Sequence, residues 1–160
     1  MIKTISFDSS TNSTGYSIFI NGEYISNGVI CYSNIKDSYN RIGSMIKDIY
    51  NVINNQKPNI VVWETPVMVN SNPETQRLLD YIAGSILGKC IENNIFHYSF
   101  RPSEWRNLIK DKDEKLPRKR DELKEWGKEK VQKLFNVSVE IDDISDAMLI
   151  GQAYIKKFSN

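Results

Sequence analysis

The spacing of apolar residues divides the chain into strands and helices. Short apolar runs bounded by polar residues predict five strands, at residues 2–7, 15–20, 23–30, 60–63 and 95–100. The Asn21-Gly22 pair lies between the second and third of these runs and is a strong signal for a β-hairpin. The run 60–63 is apolar throughout, which is typical of a strand that is buried on both faces.

Three- and four-residue spacing of apolar side chains predicts the helices. Four of them are expected at residues 39–54, 74–93, 121–135 and 144–158. A shorter helix is expected after Pro102, with Ser103 as its N-cap, and residues 110–120 are expected to form a charged insertion. The alternation of strands and helices predicts a single α/β domain over residues 1–160, with a mixed sheet flanked by helices.

The composition is that of an average soluble globular protein, with 40% apolar and 26% charged residues in a chain of 160. These values exclude a disordered tail, a collagen-like fibre and a coiled coil. No apolar run is long enough to span a bilayer, and no apolar region follows Met1, so we expect a cytoplasmic protein with no membrane partner. Cys31 and Cys90 lack the clustering of a disulfide framework or of a zinc site.

The net charge of +1 hides an uneven distribution of charge along the chain. Residues 101–133 contain 12 basic and 8 acidic side chains, whereas residues 134–160 contain two basic and four acidic ones. A basic stretch followed by an acidic cluster fits a protein that holds a polyanion next to a metal ion. A solvated helix with charges of both signs accounts for the same pattern, and charge alone leaves both interpretations open.

Four carboxylates are predicted to lie at the ends of strands and helices, where α/β folds bind ligands. Asp8 follows the first strand, and Glu64 follows the buried run 60–63. Asp143 and Asp146 stand three residues apart at the start of the last helix. Together, these acids suit hard divalent cations, although an Asx turn or a helix cap is a structural alternative for three of them. Glu64 is the hardest to explain without a ligand, because burying a carboxylate is costly unless something binds it.

Five short motifs, taken in order, resemble the RuvC family of Holliday-junction resolvases, in a bacteriophage-type form. They are DSSTNSTGY at residues 8–16, VWE at 62–64, RPSE at 101–104, KEKVQ at 128–132 and DISDA at 143–147. The resemblance implies a ribonuclease-H-like fold, a homodimer, and a nuclease that cleaves branched DNA with two Mg²⁺ ions, for which Mn²⁺ substitutes. It also implies a role in DNA recombination, DNA repair or phage genome processing, in the bacterial host cytoplasm.

The same resemblance assigns roles to individual residues. The metal-binding and catalytic acids of the family correspond to Asp8, Glu64, Asp143 and Asp146. Lys128 corresponds to a basic residue that opens the later helix and is expected to neutralise the scissile phosphate, with Arg106 doing so from the other side. Asp142 has no counterpart and is expected only to add negative potential. The cations expected to contact the DNA backbone are Arg101, Arg106, Lys110, Arg118, Lys119, Arg120 and Lys128.

Two departures from the family bear on the choice of substrate. Val67 stands where junction-specific members carry an aromatic residue that wedges between bases, and Met68 is the candidate to replace it. The insertion at residues 110–120 replaces a glycine-rich turn. We therefore expect cleavage of three-way and forked DNA as well as of four-way junctions. The chemistry requires no histidine, so His97 is expected to be a core or strand residue.

Ala83, Gly84 and Gly88 place small residues on one side of the helix predicted at residues 74–93. They either form the surface through which two copies associate or pack against the sheet of their own chain.

Two other functions are compatible with part of the pattern. One is branched-DNA binding without cleavage, which the presence of all four acids disfavours. The other is ATP binding by an actin-like fold, whose first phosphate motif the segment 8–16 also resembles. No further glycine-rich motif follows, so no nucleotide cofactor is expected.

Overall fold

Five strands form one mixed sheet in the computed structural model, which describes residues 1–67 and 72–158. The strands are β1 (Lys3–Ser9), β2 (Ser13–Ile20), β3 (Glu23–Cys31), β4 (Ile60–Glu64) and β5 (Phe96–Phe100), and their spatial order is β3-β2-β1-β4-β5. β1 pairs with β2 antiparallel and with β4 parallel, and β4 and β5 are also parallel. Tight hairpins join the antiparallel strands, whereas helices make the longer crossovers to β4 and β5.

Helices cover both faces of this sheet in the described part of the chain. They are α1 (Ser38–Gln56), α2 (Pro73–Glu92), α3 (Pro102–Ile109), α4 (Arg120–Phe135) and α5 (Asp142–Phe158). Val61 and Trp63 of β4 face a core formed with α1 and α2, whereas Val62 faces a second core formed with α3, α4 and α5. The interior of β4 is therefore buried on both faces, as its sequence predicts. None of the helices among these residues has the length and apolar composition needed to cross a bilayer.

The predicted elements agree with the observed ones to within a few residues, and the α/β class with a mixed sheet is confirmed. The prediction that Ser103 caps α3 is wrong. Arg101 occupies the N-cap position without a side-chain hydrogen bond, and Pro102 is the first residue of the helix, where a missing N–H costs nothing. Asp8 lies inside β1 rather than beyond it, because it continues the antiparallel ladder by pairing with Gly15.

α2 leaves part of its apolar surface uncovered. The α2 side chains buried against the sheet stand four residues apart and are Leu78, Ile82, Ile86 and Cys90. Leu87 and Ile91 continue the apolar spacing from which this helix is predicted, but they are exposed. Each follows a buried residue by one position and therefore projects about 100° away from the buried stripe. α2 thus presents apolar side chains on its outer side as well.

α5 crosses the sheet in close contact with β1 and β2. The Ser6 hydroxyl group donates a hydrogen bond of 2.7 Å to the backbone oxygen of Ala147. At the start of the helix, Gly15 makes the approach possible, because a Cβ atom at this position would overlap the carbonyl group of Asp143. This contact brings the first turn of α5 to the end of β1, where Asp8 lies.

The charged segment between α3 and α4 is tied to α4 by a buried lysine. The Lys130 side chain is 7% exposed, and its Nζ atom is 2.9 Å from Asp111 and 2.7 Å from Glu114. The indole N–H of Trp126 also donates to Glu114, at 2.9 Å. The predicted insertion is therefore held against α4 at its start.

Candidate active site

Four carboxylates from three elements converge on one cleft. Asp8 comes from β1, Glu64 ends β4, and Asp143 and Asp146 belong to the first turns of α5. The cleft has a volume of about 230 Å³ and is lined by Asp8, Ser9, Ser10, Glu64, Arg106, Arg120, Leu123, Lys124, Asp142, Asp143 and Asp146. All four acids predicted from the sequence therefore share one site.

The register of the sheet explains why Asp8 and Glu64 reach the same cleft. β1 and β4 are parallel neighbours in which Phe7 pairs with Trp63. Phe7 and Trp63 face the core that contains α1 and α2. Because successive side chains of a strand alternate between faces, the next residues, Asp8 and Glu64, face the opposite side, where α5 lies. The two carboxylates thus leave the same end of the sheet on the same face.

Two of the carboxylates are held by hydrogen bonds from neighbouring side chains. The indole N–H of Trp105, a fully buried residue, donates to Glu64 Oε2 at 2.6 Å. Asp143 Oδ2 accepts hydrogen bonds from the hydroxyl groups of Ser13 and, at 3.2 Å, Ser10. Sequence reasoning missed these three donors as site residues. The only available signal is that each donor lies within or directly beside a motif that carries a predicted site residue.

Arg106 places a cation among the acids. Its Nη2 atom is 3.9 Å from Glu64 Oε2 and 3.9 Å from Asp146 Oδ2. Its guanidinium carbon lies 4.7 Å from the centre of the Trp105 ring. A guanidinium that stacks on an indole is held in position and presents its N–H groups at its edge. The structure therefore brings this predicted cation into the cleft.

Burial and mutual repulsion raise the pKa values of the acids. The pKa of Asp8 is well above its ordinary value, first because of burial and then because of the charges of Asp146, Glu64 and Asp143. The pKa of Asp146 is raised to about 7, chiefly by burial. Burial also raises the pKa values of Glu64 and Asp143, against the hydrogen bonds that they accept. The charge of Arg106 lowers the pKa of Asp8 only in part, so the repulsion is not fully compensated.

These donors fit a hard divalent cation, although they do not form a ready-made metal site. Carboxylate oxygens are the ligands that Mg²⁺ prefers, and a bound cation would relieve the repulsion that raises these pKa values. Among residues 1–67 and 72–158, no three His, Cys, Asp or Glu side chains stand in coordinating positions. Two of the four carboxylates instead bind Trp105 and Ser13, and a cation would have to share or replace these contacts.

Lys124, rather than Lys128, lines the cleft. α4 begins at Arg120 and contains Lys128 in its middle, so Lys128 does not open this helix as the family residue to which it corresponds does. Asp142 Oδ2 is 2.6 Å from Lys124 Nζ, and Asp142 Oδ1 is 3.1 Å from Lys128 Nζ. Burial would raise the pKa of Asp142, but the hydrogen bonds from the two lysines outweigh burial and lower it. Asp142 is thus part of an ion-pair network, beyond the added negative potential expected from the sequence.

The other predicted DNA-binding cations fall into two groups. Those that line the cleft or an adjoining apolar groove of about 360 Å³ are Arg101, Arg106 and Arg120. Those that lie on the insertion or at its start are Lys110, Arg118 and Lys119. Arg118 and Lys119 are exposed, and Lys110 is the C-cap residue of α3. Contacts between these cations and DNA stay predictions.

Three further predictions concern Val67, Met68 and His97. Val67 is 40% exposed and lines a smaller cleft of about 120 Å³ beside the larger one. Met68 lies outside the described residues. His97 is an exposed residue of the edge strand β5, and the centre of its ring is 6.1 Å from that of the stacked Trp63 ring. His97 is therefore a strand residue and does not belong to the core.

Comparison with solved structures identifies Holliday-junction resolvases of similar fold. The chain is similar to RuvC of Thermus thermophilus in complex with a Holliday junction substrate, with a TM-score of 0.75 and 14% identity over 98% of this chain and 94% of that one. It is also similar to the fowlpox virus resolvase in complex with substrate Holliday junction DNA, with a TM-score of 0.65 and 14% identity over 99% and 100% of the two chains. The yeast mitochondrial Holliday junction resolvase has a TM-score of 0.56 and 14% identity over 96% and 77%. These similarities confirm the ribonuclease-H-like fold that the motif resemblance implies.

Sequence comparison adds one family. No curated protein matches the chain significantly. The sequence profile of a family described as Lactococcus phage M3 protein matches residues 1–156, which is nearly the whole chain. The motifs and the cleft lie within the matched residues, and so does the fold except for the last two residues of α5. The chain therefore belongs to the Lactococcus phage M3 protein family, and its fold is that of the RuvC resolvases.

Proposed function

We propose that this protein is an endonuclease that cleaves branched DNA, including Holliday junctions, three-way junctions and forks. The observation that carries the proposal is the convergence of four carboxylates and Arg106 on one cleft at the carboxyl ends of β1 and β4. Resolvases of similar fold that were solved with Holliday junction DNA support branched DNA as the substrate class. Recombination or processing of a phage genome is the corresponding cellular role, in the cytoplasm of a bacterial host.

The four acids would hold divalent cations, with Mg²⁺ as the natural ion and Mn²⁺ as a substitute. They are Asp8, Glu64, Asp143 and Asp146. When bound, such ions make a water molecule nucleophilic near neutral pH and neutralise the leaving oxygen of a phosphodiester. The raised pKa values of Asp8 and Asp146 support this assignment, because a nearby cation removes much of the cost of ionising several half-buried carboxylates together.

The cations of the chain would position the phosphate. Arg106 stands 3.9 Å from both Glu64 and Asp146 and would direct N–H donors at a phosphate oxygen in the cleft. Lys128 is expected to stabilise the charge that develops on the phosphate during cleavage. Lys128 lies on α4 and pairs with Asp142 at the start of α5, beside the cleft, and it would approach the phosphate from the side opposite Arg106.

We infer that two copies of the protein associate through α2. Gly84 and Gly88 are exposed, and a Cβ atom at either position would meet no atom within 4 Å among the described residues, so they do not pack against their own sheet. Ala83, by contrast, packs against the core. Exposed Tyr81 lines, with both glycines, a groove of about 650 Å³ between α1 and α2, and exposed Ile91 lies further along α2. A symmetric dimer would bring two active sites to one junction and allow paired cuts.

Analytical ultracentrifugation tests this surface. The protein is expected to sediment as a dimer, and Gly84→Arg is expected to sediment as a monomer, because a charged side chain would replace an open surface at the centre of the contact. Ser138→Arg, at an exposed position between Val137 and Val139 on the opposite face of the sheet, serves as a control for a charge added elsewhere. A monomeric parent protein would contradict the dimer.

Cleavage assays on labelled four-way, three-way, forked and linear DNA test the enzymatic function. In the presence of Mg²⁺, we expect cuts near the branch point that disappear with EDTA and in Asp8→Asn. Binding of branched DNA without cleavage would favour a non-catalytic DNA-binding protein. Binding of ATP without either activity would favour an actin-like nucleotide-binding protein.

A further inference from the structure

Two lysines of α4 are paired with one aspartate that the proposed chemistry does not use, and Lys128 Nζ is also 3.4 Å from Glu125. Lys124 and Lys128 stand one helical turn apart and therefore project from the same side of the helix. Asp142 joins them, with Oδ2 2.6 Å from Lys124 Nζ and Oδ1 3.1 Å from Lys128 Nζ. Each carboxylate oxygen thus binds one ammonium group. The two non-bridging oxygens of a phosphodiester are able to bind two cations in the same way.

This ion-pair network lies at the edge of the cleft that contains the four acids. Lys124 and Asp142 line the cleft together with Arg120. The exposed fractions of the side chains are 37% for Lys124, 26% for Lys128 and 28% for Asp142. The network is therefore open enough for an anion from solution to reach the lysines. It is also shielded enough for the charges to interact more strongly than in bulk water.

We infer that Lys124 and Lys128 form a subsite for a backbone phosphate of DNA, which the Asp142 carboxylate occupies until DNA displaces it. The inference rests on the proposed function, and it deepens the phosphate contact expected of Lys128 by naming Lys124 as its partner and Asp142 as the resident anion. The displacement exchanges one anion for another, because Asp142 turns towards solvent while the phosphate accepts the two charge-assisted hydrogen bonds. No covalent bond forms or breaks in this step.

The Asp142 carboxylate competes with DNA phosphates for the two lysines. This competition favours DNA that is held at several points over DNA that is held at one. A lone anion has to displace Asp142 with the energy of one contact. A phosphate of a branched DNA that is already held at several other cations arrives at a high effective concentration and displaces it more readily. Asp142 therefore weakens the binding of DNA that touches only the rim of the cleft.

A purely structural role for the network predicts different behaviour. If Asp142 only joins α5 to α4, its removal reduces stability and leaves DNA affinity unchanged. If it competes with phosphate, its removal strengthens DNA binding. The two roles are therefore separated by measuring affinity rather than stability.

Binding of four-way junction DNA in EDTA, measured over a range of salt concentrations, makes this test. Asp142→Asn is expected to bind about threefold more tightly at about 0.1 M salt, and to steepen the logarithmic salt dependence by about one, as for one added phosphate contact. Glu140→Gln removes one negative charge from an exposed position nearby and is expected to have a smaller effect. Equal affinities of the two variants would overturn the inference. So would a gain from Asp142→Asn that persists when Lys124 and Lys128 are both replaced by alanine.

Inorganic phosphate provides a test that does not depend on DNA binding. Titrated into isotope-labelled protein, it is expected to shift the amide signals around Lys124 and Lys128 more strongly in Asp142→Asn than in the parent protein. If neither protein shows these shifts, the subsite is refuted even when DNA is bound and cleaved. If the shifts occur but no branched DNA binds, the proposed function fails while the anion site stands.

Discussion

Asp8 is the acid of the cleft whose pKa is raised by all three of the others. Burial raises its pKa first, and the charges of Asp146, Glu64 and Asp143 raise it further. As a metal ligand, the Asp8 carboxylate would promote cleavage. As an anion beside the DNA backbone, the same carboxylate would repel the substrate. The two effects are separable by a substitution that removes the charge but keeps the size.

Asp8→Asn is expected to abolish cleavage of junction DNA and to preserve or improve binding. The amide is a poor ligand for Mg²⁺ compared with a carboxylate, and its neutrality reduces repulsion of the phosphates. Gel-shift and cleavage assays on the same protein check both effects, and Glu64→Gln, Asp143→Asn and Asp146→Asn are expected to behave alike. Joint loss of binding and cleavage in a folded variant would argue against a ligand role.

Asp146 links the stability of the protein to pH. Its pKa is raised from 3.8 to about 7, chiefly by burial, so the folded protein keeps this proton over a range in which the unfolded chain has released it. The folded state therefore loses stability as the pH rises from about 4 to about 7. The pKa of Asp111 is lowered to about 2 by hydrogen bonds from Lys133 and Lys130. Asp111 therefore changes the stability only at lower pH, outside this window.

We expect the thermal unfolding midpoint of the metal-free protein to fall between about pH 5 and about pH 8, relative to that of Asp146→Asn. Mg²⁺ is expected to raise the midpoint by several degrees at about pH 8, and by much less at about pH 5, where protons compete for the carboxylates. Differential scanning calorimetry measures both effects. An equal effect of Mg²⁺ at the two pH values would contradict binding at these acids.

α4 connects the charged insertion to the cleft through ion pairs that differ in burial. Lys130 and Lys133 both lie 2.9 Å from Asp111, but their side chains are 7% and 64% exposed. Lys130 also binds Glu114 at 2.7 Å. The two lysines therefore make the same kind of contact in different surroundings, which makes them a matched pair for mutation.

Lys130→Met is expected to lower the free energy of unfolding by about 1–3 kcal/mol, because it removes the buried partner of Glu114. The effect is smaller than for a fully buried pair, since Asp111 is exposed. Lys133→Met is expected to change the free energy by less than about 0.5 kcal/mol. Urea denaturation compares the two variants. Equal small effects would mean that burial of Lys130 does not hold the insertion in place.

In the whole molecule, DNA affinity is expected to come from cations spread over α3, the insertion and α4. Such contacts reach phosphates, carry no sequence information and weaken steeply with salt. Val67, which is exposed beside the cleft, lacks the aromatic ring that would open base pairs at a crossover. Branch geometry, read by the two active sites of the proposed dimer, is then expected to be the main source of selectivity.

The protein is therefore expected to cleave three-way and forked DNA as well as four-way junctions, with little sequence preference and with linear duplex as a poor substrate. Cleavage of the four substrates under one salt condition measures this breadth. Val67→Phe is expected to shift activity towards four-way junctions by restoring an aromatic ring. Cleavage of four-way junctions alone, at one short sequence, would show that the inference from Val67 is wrong.

The elements of this fold and the identity of its four acids were predictable from sequence, because both depend on local patterns. Apolar spacing predicts each strand and helix to within a few residues, and Glu64 stands out as a carboxylate at the end of an apolar run. Local patterns are less reliable at the edges of elements. Ser103 has the right chemistry for a helix cap, but Arg101 takes that position, and Ile91 continues an apolar period without being buried.

The contacts within the cleft depended instead on how distant segments meet. Trp105 is 41 positions from Glu64, and Ser13 is 130 positions from Asp143, so no periodicity or motif relates these partners. Gly15 sets how closely α5 approaches β2, and this approach carries the acids of α5 to those of the sheet. The pairing of Asp142 with α4 has the same origin. Side chains on separate elements acquire partners only when the elements pack, and burial then changes their pKa values and the anions that they are able to bind.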